Sequence, residues 1–133
     1  MKILIVEDDG GSRMLLQSFL SKFGDCDVVV NEGEAVDSFR AASCAGQPYD
    51  LICMDAVMLE LGGQGALRRI REAEEAGGIL ATHPKAAKVI MTTTIDDIKD
   101  IFCSFGRLFD AYLVKPIDTS MLFHHLKTLR LVR

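Results

Sequence analysis

No stretch of the 133-residue sequence approaches the roughly 18 uninterrupted apolar residues that a membrane span needs. The opening MKILIVEDDG turns acidic too soon for a signal peptide. Both absences lead to the expectation of a cytoplasmic protein. Cys26, Cys44, Cys53 and Cys103 include no Cys-x-x-Cys pair, which removes zinc and redox motifs and leaves them as small buried or surface residues in a reducing compartment. Positive charge is not in excess either: the net charge is -4, which argues against nonspecific nucleic-acid binding, and the basic tail KTLRLVR reads as a solvated helix end. Repeats, low-complexity tracts and linkers are absent. A chain that is 49% apolar and of this length builds one sizeable core, so a single domain over 1–133 is expected.

What is present is an alternation. The runs KILIV (2–6), DVVV (27–30), DLICM (50–54), KVIM (88–91) and AYLV (111–114) are continuous rather than alternating in polarity, as suits strands covered on both faces. Between them lie helical stripes: Met14, Leu15, Phe19, Leu20 and Phe23, with Gly24 placed to end the helix; Ala35, Val36 and Phe39; and Leu67 and Ile70 within RRIREAEEA, read as a helix with a charged outer face stopped by Gly77-Gly78. Thr94 and Asp97 fit a capping box for a fourth helix, and Asp118 or Thr119 a cap for a fifth that holds Met121, Leu122 and Leu126. Five β-α units predict a doubly wound α/β domain with right-handed crossovers, whose chemistry sits beyond the carboxyl ends of the strands.

Those ends carry Glu7, Asp8 and Asp9 after the first run, Asp55 after the third, Thr92, Thr93 and Thr94 after the fourth, and Lys115-Pro116 after the fifth. Carboxylates brought within about 4 Å repel by several kcal/mol, so such a cluster calls for a proton or a cation. Magnesium (Mg2+) suits it best, because it takes one or two carboxylates with water and a phosphate oxygen; the spaced acidic loop of a calcium-binding EF-hand is absent. A carboxylate beside magnesium can attack a phosphoryl group, with a lysine and a threonine hydroxyl contacting the phosphoryl oxygens.

The motifs ILIVEDD, DLICMDAVM, VIMTTT and YLVKP, in this order and at these separations, resemble the receiver domain of two-component response regulators over essentially the whole chain. The resemblance implies a flavodoxin-like (βα)5 sandwich with a five-stranded parallel sheet of strand order 2-1-3-4-5. It implies Asp55 as phosphoacceptor, Glu7 and Asp8 as an acidic pair holding magnesium together with Asp55 and the carbonyl of Val57, Thr93 and Lys115 at the phosphoryl group, Tyr112 as the aromatic switch, and a cis bond at Lys115-Pro116. The implied donor is a histidine kinase or histidine phosphotransfer protein. The implied output is a two-state surface of the fourth helix, fifth strand and fifth helix that controls a partner. The domain would be a regulatory phosphoacceptor assisting its own phosphorylation and dephosphorylation, not an enzyme acting on metabolites.

Leu59 stands where the family usually has proline, Leu108 and Ala111 where glycine is frequent, and Thr94 where a smaller residue is usual. Val57 and Ile95 flank the route of attacking water in the family and are apolar here, so slow self-dephosphorylation is expected. His83, His124 and His125 lack metal-ligand spacing and read as solvated side chains, and GGQG at 62–65 lacks the Lys-Ser/Thr of a phosphate loop. The stripe Ile95, Ile98, Ile101, Phe102, Phe105 and Phe109 is wider than one sheet needs, which suggests a homodimer or effector contact on the output face. A magnesium-dependent aspartyl-phosphate phosphatase is disfavoured by Val57, which occupies the usual acid/base position. A flavodoxin-like binding protein is disfavoured by Glu7-Asp8-Asp9, which would repel phosphate, and a receiver working unphosphorylated by the apparent completeness of the site. No output domain fits after the fifth helix, so either a stand-alone regulator or a receiver cut from a longer protein is expected.

Overall fold

The structure, a computed structural model, describes residues 1–56, 65–79, 85–97, 99 and 108–132. Its strands are β1 (Lys2–Val6), β2 (Asp25–Val29), β3 (Leu51–Asp55), β4 (Lys88–Thr93) and β5 (Ala111–Val114). They form one parallel sheet in the order β2-β1-β3-β4-β5. The described helices are α1 (Gly10–Leu20), α2 (Glu32–Cys44), α3 (Ala66–Ala76) and α4 (Thr119–Thr128), the last being the fifth of the sequence reading. Most of the expected fourth helix lies outside the described residues. At its start, Thr94 and Asp97 form a turn in which the Thr94 hydroxyl donates to the Asp97 carboxylate at 2.8 Å.

The sheet divides the core in two, because successive side chains on a strand point to opposite faces. Leu4, Val6, Ile52, Met54, Val89 and Met91 pack with residues of α2 and α3 on one face. Ile3, Ile5, Leu51, Cys53, Ile90 and Leu113 pack with residues of α1 and α4 on the other. Burial on both faces is why the strands read as unbroken apolar runs, and β3, at the centre, is buried along its whole length. Burial also makes the Cys53 thiol inert, pushing its pKa up to about 12.

Side-chain caps on Asp9, Asn31 and Asp118 open α1, α2 and α4. The α3 helix closes in a Schellman motif, with Ile79 N–H bonded to Glu74 O, Gly78 N–H bonded to Glu75 O, and Gly78 at φ 85°. Gly24 acts differently from the expected helix stop. A Cβ there would collide with the carbonyl of Met1, and the close approach lets Asp25 N–H reach that carbonyl at 2.9 Å, where β2 begins. The outer face assigned to α3 also needs correction: Arg71 and Glu74 are buried, at 4% and 7% exposure.

Candidate functional site

The parallel register brings the carboxyl ends of β1, β3, β4 and β5 together: Val6 pairs with Met54, Asp55 with Thr92, and Thr93 with Val114. Alternation then sorts the side chains. Glu7, Asp55, Thr92 and Lys115 continue the series that faces α1 and α4, whereas Thr93 and Tyr112 continue the opposite series.

The first group is in direct contact. Lys115 Nζ donates to Glu7 Oε1 at 3.0 Å and to Asp55 Oδ2 at 3.1 Å, and the Thr92 hydroxyl donates to Glu7 Oε2 at 3.4 Å. Backbone N–H of Asp9 adds a bond to Glu7 Oε1 at 3.2 Å. Glu7 and Asp55 are buried, while Asp8 is exposed at the mouth. Oxygens from Glu7, Asp8 and Asp55 lie within 4.8 Å of one another. Three carboxylates against one ammonium leave an excess of negative charge. A set of hard oxygen donors with such an excess fits a hard divalent cation.

The electrostatics agree. Burial pushes the Glu7 carboxyl up to about 6, with Asp55 adding to the rise and Lys115 opposing it. Burial alone would lower Lys115, but its bonds to Glu7 and Asp55 outweigh that and hold the ammonium above its ordinary value. Asp9 has a different task. Its carboxylate caps α1 by accepting from Ser12 N–H at 3.0 Å, and that bond lowers its pKa.

Thr93 is fully buried and its hydroxyl donates to the Thr94 carbonyl at 3.2 Å; Lys115 N–H closes on Thr93 O at 2.7 Å. The Lys115–Pro116 peptide bond is cis. Tyr112 is half-buried and packs against the cluster on the α2 and α3 face. Its carbonyl lies 3.0 Å from His125 Nε2, so His125, expected to be solvated, has a backbone partner. Ile95 is 73% exposed and Phe109 packs against the core, while Val57, Leu59, His83, Cys103 and the remaining Phe and Ile positions of the stripe lie outside the described residues.

Sequence reading gave Thr92 no role apart from its neighbours; the period-two alternation that puts it with Asp55 was the available signal.

A family model for the response regulator receiver domain matches residues 3–127. Among curated proteins, a probable transcriptional regulator from Guillardia theta is 28% identical over 118 residues, covering 88% of this chain and 40% of that protein. The chain therefore spans about two fifths of the length of the first such relatives. The receiver domain of Saccharomyces cerevisiae Ssk1, solved with the histidine phosphotransfer protein Ypd1, superposes with a TM-score of 0.76 at 26% identity, covering 96% of this chain and 86% of that one. The receiver domain of a Pseudomonas aeruginosa sensor histidine kinase, solved with magnesium in its active-site cleft, shares the fold with a TM-score of 0.70 at 24% identity, over 96% of this chain and 95% of that one.

Proposed function

The chain belongs to the response regulator receiver family of two-component phosphorelay signalling, and from that premise we propose that Asp55 is its phosphoacceptor. The observation that carries the reading is the convergence of Asp55, Glu7 and Lys115 within hydrogen-bond distance at the end of the central strand. Receiver domains work with histidine kinases or phosphotransfer proteins. A phosphohistidine of such a partner is the donor proposed here.

An Asp55 carboxylate oxygen attacks phosphorus, the P–O bond forms as the P–N bond breaks, and the imidazole leaves with the electron pair and takes up a proton. Lys115, already 3.1 Å from Asp55, neutralises charge on a phosphoryl oxygen. Glu7, Asp8 and Asp55 would hold magnesium, which when bound supplies Lewis-acid stabilisation of the transferring group. The Thr93 hydroxyl, held now by a 3.2 Å bond to its neighbour's carbonyl, turns to the phosphoryl group and vacates space for the Tyr112 ring. The face of β5 and α4 then changes partner. A groove of about 360 Å3 lined by Tyr112, Met121 and His125 among others supports that surface as the effector or dimer contact.

The test is phosphorylation by acetyl phosphate, read by intact mass, with and without magnesium, on the native protein and on Asp55→Asn. One phosphoryl adduct is expected on the native protein with magnesium and none on Asp55→Asn. An equal adduct on both proteins overturns the assignment.

A further inference from the structure

A second polar cluster, buried at Arg71 and Glu74 and reaching the surface at Asp110, joins α3 to the segment that leads into β5. Arg71 Nε donates to Leu108 O at 2.9 Å, and Nη1 donates to Glu74 Oε1 at 2.7 Å and to Ala87 O at 2.8 Å. Nη2 reaches Asp110 Oδ2 at 3.4 Å. Each carboxylate is fixed in turn by backbone, Glu74 Oε2 by Ala87 N–H and Asp110 Oδ2 by Val89 N–H, both at 2.8 Å. Asp110 N–H also bonds Val89 O at 2.8 Å, so one residue holds both polar groups of Val89 just before the β4–β5 pairing starts at Ile90 and Ala111.

The β5 strand has four residues and is pinned at both ends, by Asp110 on Val89 and by Lys115 N–H on Thr93 O. Tyr112 lies between the pins and packs against the cluster that contains the α3 residues Leu67 and Ile70. A guanidinium suits the first pin because its planar fork engages several acceptors at fixed angles, which a lysine ammonium does not.

We propose that Arg71 is a positioning residue for the response of β5: through Leu108 and Asp110 it fixes the strand's start, so that Tyr112 answers changes at the Asp55 end as part of a clamped strand. The proposal rests on the reading of Asp55 and Tyr112 given above. It makes α3 a mechanical part of the switch, although α3 contributes no residue to the phosphoryl site. A network that served stability alone would leave the Tyr112 response unchanged in any variant that folds.

The test uses the full chain with ring-13C-labelled tyrosine. The sequence has only two tyrosines, Tyr49 and Tyr112, so Tyr49→Phe assigns the spectrum. Beryllium fluoride with magnesium serves as the phosphoryl mimic. The native protein is expected to show a shift of the Tyr112 ring signals on adding the mimic. In Arg71→Met/Glu74→Gln, which removes both charges and keeps an acceptor for Ala87 N–H, that shift is expected to fall by roughly half or more, or to split into several signals. Asp110→Asn, which keeps an acceptor for Val89 N–H and loses only the charge facing Arg71, is expected to fall in between, and it decides the question if the double variant does not fold. A native-sized response in the folded variants overturns the role of Arg71 alone. Absence of any Tyr112 response in the native protein overturns the switch reading and this inference with it.

Discussion

The molecule contains two partly buried clusters built to the same formula, two carboxylates around one cation, in contrasting surroundings. Around Arg71, Glu74 and Asp110 are each also bonded by a backbone N–H, and the guanidinium also donates to the carbonyls of Leu108 and Ala87. Around Lys115, the cation is a point charge shared between Glu7 and Asp55, a third carboxylate, Asp8, stands at the mouth, and burial raises the Glu7 pKa. The first cluster ties its cation and both carboxylates to backbone groups of several segments, so it holds elements together. The second is over-supplied with negative charge and held by a flexible amine, so it is suited to accept a cation and exchange partners.

Removing the cation from the Arg71 cluster should have the largest effect on stability. Arg71→Met leaves Glu74 and Asp110 facing each other without their partner, and a loss of about 3–5 kcal/mol is expected in urea unfolding. A loss near zero would erase the contrast between the clusters. Magnesium should then act on the other cluster alone. At a hundred times its dissociation constant it should stabilise the native protein by about 2.7 kcal/mol in thermal unfolding, and Asp8→Asn should diminish that gain while Arg71→Lys retains it.

A smaller effect should follow pH in the metal-free protein. The Glu7 carboxyl has its pKa raised from 4.5 to about 6, so the folded state favours its protonated form. The contribution is fully present below pH 4.5 and is lost as pH rises through about 6, amounting to about 2 kcal/mol. Unfolding with chelator across this interval, compared between the native protein and Glu7→Gln, isolates it. The difference should decrease when magnesium is added, because cation binding needs the ionised carboxylate.

Much of this was legible in the sequence, for identifiable reasons. Five apolar runs announced strands because both faces of the sheet are buried, and the strand ends announced the site because in a parallel sheet those ends converge. Boundaries moved where backbone pairing outran the apolar pattern: β4 extends through Thr92 and Thr93, and β2 starts at Asp25, where the chain meets Met1. The Arg71 cluster was missed because RRIREAEEA resembles a solvated charged face. Its spacing held the clue, since Leu67, Ile70, Arg71 and Glu74 fall at i, i+3, i+4 and i+7 on one buried stripe. Charge masked a periodicity that apolar residues would have made obvious. The proposed switch pairing of Thr93 with Tyr112 comes from the resemblance alone, and the structure puts both on the face opposite Asp55 and Lys115.

The most direct measurement locates the phosphoryl group. After reaction with acetyl phosphate and magnesium, borohydride reduction converts an aspartyl phosphate to homoserine, and tandem mass spectrometry of the digested protein assigns the position. Homoserine at residue 55 is the result expected; homoserine at residue 8 or 9, or no reduced residue at 55 in a phosphorylated sample, would contradict the account.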